Sequence, residues 1–82
     1  MLLDFSRDEL FAELSINREL EFSLDGISYF ISGDKTRDQY IWDETHQKYI
    51  FDGTLADLFA FEFPNGCSLN HNTDRFQFEY LL

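Results

Sequence analysis

The sequence contains little of what disulfide-bonded, fibrous and membrane-spanning proteins require. Its 82 residues include one cysteine, one proline and four glycines. These numbers exclude an internal disulfide, a metal site built from cysteines alone and a linker-like or collagen-like chain. No apolar run approaches the roughly 20 residues of a membrane span, and the acidic N-terminus lacks the features of a signal peptide. We therefore expect a single domain, residues 1–82, that does not associate with a membrane. We expect it in the cytoplasm of a bacterial or host cell.

Basic residues are scarce as well. Six lysines and arginines stand against 16 aspartates and glutamates, so the formal net charge is −10. This balance argues against direct binding of DNA or RNA, because counterion release requires a basic surface. Phosphate-binding glycine loops are also missing from the sequence. Aromatic residues are abundant, however, and at 18% of the chain they can build a hydrophobic core despite the charge.

Capping signals predict two short helices. Ser6 and Glu9 have the spacing of a capping box, and the apolar residues behind them favour a helix that ends near Asn17 and Arg18. Thr54, followed three residues later by an aspartate, predicts a second helix over residues 55–60.

Alternating segments predict the strands. Asp25-Gly26 favours a tight hairpin turn between residues 19–24 and 27–32. In that register one face carries all of the apolar side chains except that of Phe30, namely Leu20, Phe22, Leu24, Ile27, Tyr29 and Ile31. A second hairpin, residues 39–43 and 48–52 with a four-residue loop, would pair Trp42 with Tyr49, Tyr40 with Phe51, and Asp43 with Lys48.

Both faces of the second hairpin are apolar, so we expect its strands to be central or to be covered by helices on one side. Residues 75–82 form a last alternating strand, with Phe76, Phe78 and Tyr80 predicted on one side. The fold class is α+β, an antiparallel sheet of four or five strands with two short helices on one face. The order along the chain is α-β-β-β-β-α-β.

The sequence carries no catalytic signature, and we expect a protein that is not an enzyme and holds no cofactor or metal. Cys67, His71 and His46 are the soft or borderline metal ligands, too few for a zinc site. A nucleophilic Cys/His pair would also need an orienting third group. Trp42, Asp43 and Glu44 have the residue types of a sugar site, which would further require a cleft.

The acidic surface is the functional feature that remains. Glu19 and Glu21 fall on the polar face of the first hairpin, and Asp43, Glu44 and Asp52 bracket the second. A dense negative field steers a protein toward a basic partner, although acidity also serves solubility alone. We therefore predict these five residues as partner-binding positions.

Four segments of the chain resemble small cytosolic α/β proteins of Gram-positive bacteria and their mobile elements, a group without an assigned activity. The segments are residues 21–31, from Glu21-Phe22 to Tyr29-Phe30-Ile31, residues 40–43 (YIWD), residues 49–55 (YIFDGTL) and residues 78–81 (FEYL). In size, acidity and mixed α/β pattern the chain is also similar to phage-encoded inhibitors. These include anti-CRISPR proteins, some of which occupy a nucleic-acid site by mimicking phosphates. The likeness transfers no residue role.

These observations predict a non-enzymatic inhibitor that blocks a basic nucleic-acid-binding protein. One alternative is an immunity-type protein that neutralises a cognate toxin by the same electrostatics. Another is a small housekeeping enzyme or sugar-binding domain, which would need a formed cleft near Trp42, Asp43 and Glu44. The identity of the partner and the oligomeric state do not follow from the sequence.

Overall fold

The computed structural model describes residues 3–16, 18–33 and 38–82. The described elements, in chain order, are α1 (Arg7–Ser15), β1 (Leu20–Leu24), β2 (Ile27–Ser32), β3 (Gln39–Asp43), β4 (Lys48–Gly53), α2 (Leu55–Ala60), a 3₁₀ turn (Thr73–Arg75) and β5 (Gln77–Leu81). The strands form one antiparallel sheet in the order β4-β3-β2-β1-β5. This arrangement confirms the α+β class and the predicted order of elements.

Both helices begin at the predicted caps. The Ser6 hydroxyl accepts from the Glu9 amide at 3.2 Å, and the Glu9 carboxylate accepts from the Ser6 amide at 2.9 Å. The hydrogen bond that the Ser6 amide donates to the Glu9 carboxylate, with a smaller contribution from the Ser6 hydroxyl, lowers the pKa of the Glu9 carboxyl. Thr54 caps α2 in the same way, accepting from the Asp57 amide at 3.1 Å. Helix α1 ends at Ser15, a little before the predicted end, of which Asn17 lies outside the described residues.

The hydrophobic core lies between the two helices and one face of the sheet. Phe22 is 1% exposed, and its ring packs against the rings of Tyr29, Phe63, Phe76 and Phe78. The buried helix residues that join this cluster are Leu10 and Leu14 from α1 and Leu58 and Phe59 from α2. Because all four belong to the cluster that contains Phe22, both helices cover the same face of the sheet.

The first hairpin has the predicted register. Leu24 pairs with Ile27, Phe22 with Tyr29 and Leu20 with Ile31. Asp25 and Gly26 both adopt positive φ, at 51° and 79°, as a tight two-residue turn requires.

Two predicted details of the outer strands are wrong, and a β-bulge explains each. In β4 the register shifts opposite Ile41 and Trp42 of β3, so that Phe51 pairs with Ile41 and Tyr40 pairs with Asp52 instead of Phe51. In β5 a shift opposite Glu21 and Phe22 places Tyr80 on the face away from Phe76 and Phe78. A bulge adds one residue to a strand, and one residue is enough to turn every later side chain to the other face. The β3–β4 strands are covered by a helix on one side, as predicted, although β4 itself is an edge strand.

The segment between α2 and β5 has no clear pattern in the sequence, yet it contributes to the core. Cys67, Ser68 and Leu69 are buried, and the Asn70 amide donates to the Phe59 carbonyl at 3.0 Å. This segment therefore closes the end of the core beyond α2. Among the described residues, no helix has both the length and the apolar character needed to span a bilayer.

Candidate functional site

The face of the sheet that lies away from the helices carries a row of aromatic side chains. The row follows the strand register from β5 to β4. Its aromatic members are Tyr80, Phe30, Trp42 and Tyr49, and Glu21 interrupts it between Tyr80 and Phe30. Tyr80 is 55% exposed and Tyr49 is 64% exposed, whereas Phe30 and Trp42 are half-buried. We call this side of the sheet the open face and include in it Tyr40 and Asp52, which form the next pair along β3 and β4.

Aromatic contacts give the β3–β4 half of the open face a fixed shape. The ring of Tyr49 lies edge-on to Trp42 with a centroid separation of 4.6 Å, and edge-on to Tyr40 at 5.2 Å. Edge-to-face contacts of this kind are favourable beyond the area that they bury. Clustered and partly exposed aromatic rings on the surface of a domain are typical of protein-binding sites.

Carboxylates alternate with these rings. Glu21 is exposed and stands directly between Tyr80 and Phe30 on the two neighbouring strands. Asp52 is exposed and stands opposite Tyr40. Glu19 lies beyond the start of β1, where its carboxylate accepts from the Ser32 hydroxyl at 3.3 Å. Three of the five predicted partner-binding residues, Glu19, Glu21 and Asp52, therefore flank the open face.

Asp43, unlike these three residues, points to the core side of the sheet at the end of β3. The residue is 4% exposed, and its carboxylate accepts from the His46 amide at 2.9 Å and from the His46 ring nitrogen Nδ1 at 2.8 Å. Burial alone would raise the pKa of the Asp43 carboxyl, but the hydrogen bonds from the backbone and ring of His46 outweigh it and the pKa is lowered. Asp43 thus stabilises the β3–β4 turn. Glu44 lies in that turn and is exposed.

A shallow cavity of about 340 Å³ opens beside this turn, at the edge of the core-facing side of the sheet. Its polar lining comes from Tyr29, Asp43, His46, Lys48 and Glu62. Burial, together with the nearby charges of Asp43 and Asp25, raises the pKa of the Tyr29 phenol, which is therefore a proton-bearing group at neutral pH. The His46 ring is held by the buried Asp43 carboxylate, and the cavity lining supplies no thiol and no aliphatic hydroxyl beside it.

The other candidate ligands from the sequence do not converge. The Cys67 thiol is buried, the His71 ring nitrogen Nδ1 lies 3.3 Å from the Ser68 hydroxyl, and the His46 ring is paired with Asp43. Within residues 3–16, 18–33 and 38–82, no three histidine, cysteine, aspartate or glutamate side chains are grouped so that they could hold a metal ion.

Trp42, Asp43 and Glu44 do not form a common cleft. Consecutive residues of a strand point to opposite faces, so Trp42 lies on the open face while Asp43 points to the side of the core. Neither Trp42 nor Glu44 lines the cavity beside the turn.

Sequence reasoning did not single out Tyr49 and Tyr80 as surface residues. The signals that point to the row are Phe30 on an otherwise polar face and the apolar character of both faces of β3 and β4.

No protein-family model, no curated protein and no solved structure matches the chain.

Proposed function

We propose that the protein is a non-enzymatic inhibitor whose open face binds the nucleic-acid-binding surface of a basic partner protein. The observation that supports this function is the combination of exposed carboxylates and aromatic rings on one sheet face, in Glu21 beside Tyr80 and in Asp52 beside Tyr40. A nucleic-acid strand offers its binding proteins the same two chemical features, anionic groups and flat rings.

The overall charge favours the same partner. A formal net charge of −10 on 82 residues repels anionic surfaces and attracts basic ones over a distance of roughly 8–10 Å at physiological ionic strength. Proteins that bind nucleic acid display lysines and arginines where phosphates dock. A partner whose own function requires such a surface is therefore complementary to the open face. When the open face binds it, that surface is no longer accessible to nucleic acid.

The test is a competition experiment. The tagged protein captures its partner from nuclease-treated native lysate, and the partner is then titrated at low and high salt, with and without its nucleic acid. We expect the nucleic acid to compete with the protein for one surface, and we expect affinity to fall as salt rises. Binding that is independent of salt and indifferent to the nucleic acid would overturn the proposal.

A matched pair of variants separates position from net charge. Glu21→Gln/Asp52→Asn removes two charges from the open face, and Asp8→Asn/Asp57→Asn removes two from exposed helix positions on the other side of the sheet. The first pair should weaken binding to the partner markedly and the second only slightly. Equal losses would mean that acidity acts only through total charge.

A partner that is a toxin without nucleic acid in its site would instead identify the protein as immunity-type.

A small-molecule-binding domain is the second candidate, and the cavity beside the β3–β4 turn favours it. At about 340 Å³ the cavity lies at the lower end of the range of ligand sites, and it combines apolar walls with the polar groups of Asp43, His46 and Lys48. A fragment screen by NMR would test it directly. Shifts confined to the amides of residues 43–48 and 61–63 would support this candidate, and a screen without such shifts would contradict it.

A further inference from the structure

We infer that the open face recognises arginine rather than lysine, so that the partner's contact segment is arginine-rich. This inference rests on the proposed function, because it names the side chain by which the basic partner would be bound. It concerns two positions on the open face at which a carboxylate and an aromatic ring are direct cross-strand neighbours.

Glu21 provides the first position. Tyr80 and Phe30 are its partners on β5 and β2, and side chains directly opposite each other on paired strands lie about 4.5–5.5 Å apart at their Cβ atoms. A cation that pairs with the Glu21 carboxylate is thus brought against a ring. The exposed Tyr80 leaves room for such a side chain to approach from solvent.

Asp52 provides the second position. It is the cross-strand partner of Tyr40, whose ring contacts Tyr49 at 5.2 Å. Three strand spacings separate β1 from β4, and Asp52 lies two residues along the strands from the row of Glu21. The two positions are therefore about 14 Å apart across the strands and about 7 Å apart along them. One extended or helical segment with several cations can reach both.

Arginine fits such positions better than lysine does. Its guanidinium is planar and weakly hydrated, so that it can stack on a ring while its N–H groups pair with a carboxylate. A lysine ammonium is compact and strongly hydrated, and it gains mainly the charge pairing. The chain uses the same contact within itself, since the guanidinium of Arg7 lies 4.7 Å from the ring centre of Phe11 and 5.1 Å from that of Phe59.

Trp42 allows the inference to be tested in solution. It is the only tryptophan in the sequence, and it lies in the aromatic row between Phe30 and Tyr49. Its fluorescence therefore reports directly on occupation of the open face. The probes are a nine-residue oligo-arginine peptide and a nine-residue oligo-lysine peptide, which have the same charge.

We expect the arginine peptide to change the Trp42 emission and to bind more tightly than the lysine peptide. The expected preference is roughly two- to fivefold for each stacked guanidinium. Tyr40→Leu/Tyr80→Leu should reduce the preference, although Phe30 remains beside Glu21, and leave lysine affinity nearly unchanged. Tyr40→Phe/Tyr80→Phe should keep the preference. Glu21→Gln/Asp52→Asn should weaken both peptides more than Asp8→Asn/Asp57→Asn does.

Equal affinity for the two peptides would overturn the inference, as would a preference that is undiminished in a Tyr40→Leu/Tyr80→Leu variant whose unfolding temperature is unchanged. These outcomes are separate from those of the competition experiment. An arginine preference with a partner that ignores nucleic acid would contradict the proposed function alone. A competing partner together with equal peptide affinities would contradict the arginine inference alone.

Discussion

The carboxylate of Asp43 shows how one side chain sets the local structure of a turn. It is buried at the end of β3, and both of its oxygens accept hydrogen bonds from His46. Lys48 is its cross-strand partner at the start of β4. The β3–β4 turn therefore depends on the ionised form of one aspartate.

The Asp43→Asn variant should lose this contribution in a pH-dependent way. Because the pKa of Asp43 is lowered in the folded protein, its stabilisation is present above the ordinary aspartate pKa of about 4 and is lost as pH falls through the lowered value. At pH 7 we expect the free energy of unfolding to drop by about 1–2 kcal/mol, the low end for bonds to a charged group because the His46 ring is half exposed.

Denaturant unfolding of both proteins between pH 2 and pH 7 measures this difference. The two stabilities should converge at the acidic end, where Asp43 is protonated. Glu44→Gln, one residue further along in the exposed turn, is the control and should differ little from the parent at any pH. A difference in the free energy of unfolding between the parent and Asp43→Asn that stays constant from pH 2 to pH 7 would contradict this prediction. It would show that the charge of Asp43 does not stabilise the turn.

The β1–β2 hairpin places its two faces in different environments, which makes a matched test of the sheet possible. Phe22 on β1 is fully buried in the core, whereas Phe30 on β2 belongs to the aromatic row. Phe22→Ala should lower the free energy of unfolding by roughly 3–5 kcal/mol, because it leaves a cavity among packed rings.

Phe30→Ala is the same truncation on the other face, and it should cost clearly less because the Phe30 ring is only partly removed from water. Chemical denaturation followed by circular dichroism compares the two variants. Equal losses would mean that the open face is as tightly packed as the core, which would contradict its role as a surface for binding.

The sequence predicts best those elements whose structure depends on a few adjacent residues. The Asp25-Gly26 turn and the Ser6 and Thr54 caps each depend on a few adjacent residues, and all three form as the sequence indicates. The two bulges were not predictable, because each depends on how an outer strand fits its neighbour in the sheet. Their effect is large, since the β5 bulge moves Tyr80 from the expected core side to the open face.

The candidate site was predictable only in part for the same reason. Alternation in β1 correctly places Glu21 on the polar face, and the odd position of Phe30 already points to an unusual surface there. The neighbours that give this surface its character, Tyr80 and Tyr49, come from strands that are distant in sequence. Their convergence follows from the strand order β4-β3-β2-β1-β5, which no local pattern in the chain encodes.

Charge acts on the folded domain as a unit. The described fold has a radius of gyration of 11.4 Å and extends over 31 × 26 × 22 Å. At an ionic strength of 0.01 M the Debye length is about 30 Å, so nearly every pair of like charges in a body of this size repels. At 0.15 M the length falls to about 8 Å, and only near neighbours still interact. A net charge of −10 must therefore oppose folding most strongly in dilute buffer.

Salt should consequently have opposite effects on folding and on binding. We expect the unfolding temperature to rise between 0.01 M and 0.15 M sodium chloride, by roughly 4–8 °C for each 1 kcal/mol of repulsion that is screened. Over the same range the affinity for an arginine-rich partner should fall, because the attraction that steers binding is screened as well. Calorimetry at several salt concentrations measures the first effect and peptide titration the second.

A variant that combines Glu21→Gln, Asp52→Asn, Asp8→Asn and Asp57→Asn carries four fewer negative charges and should respond less in both measurements. If the unfolding temperature of the parent did not depend on salt, the acids would have to be neutralised within the fold, and the long-range field on which the proposed recognition depends would be absent.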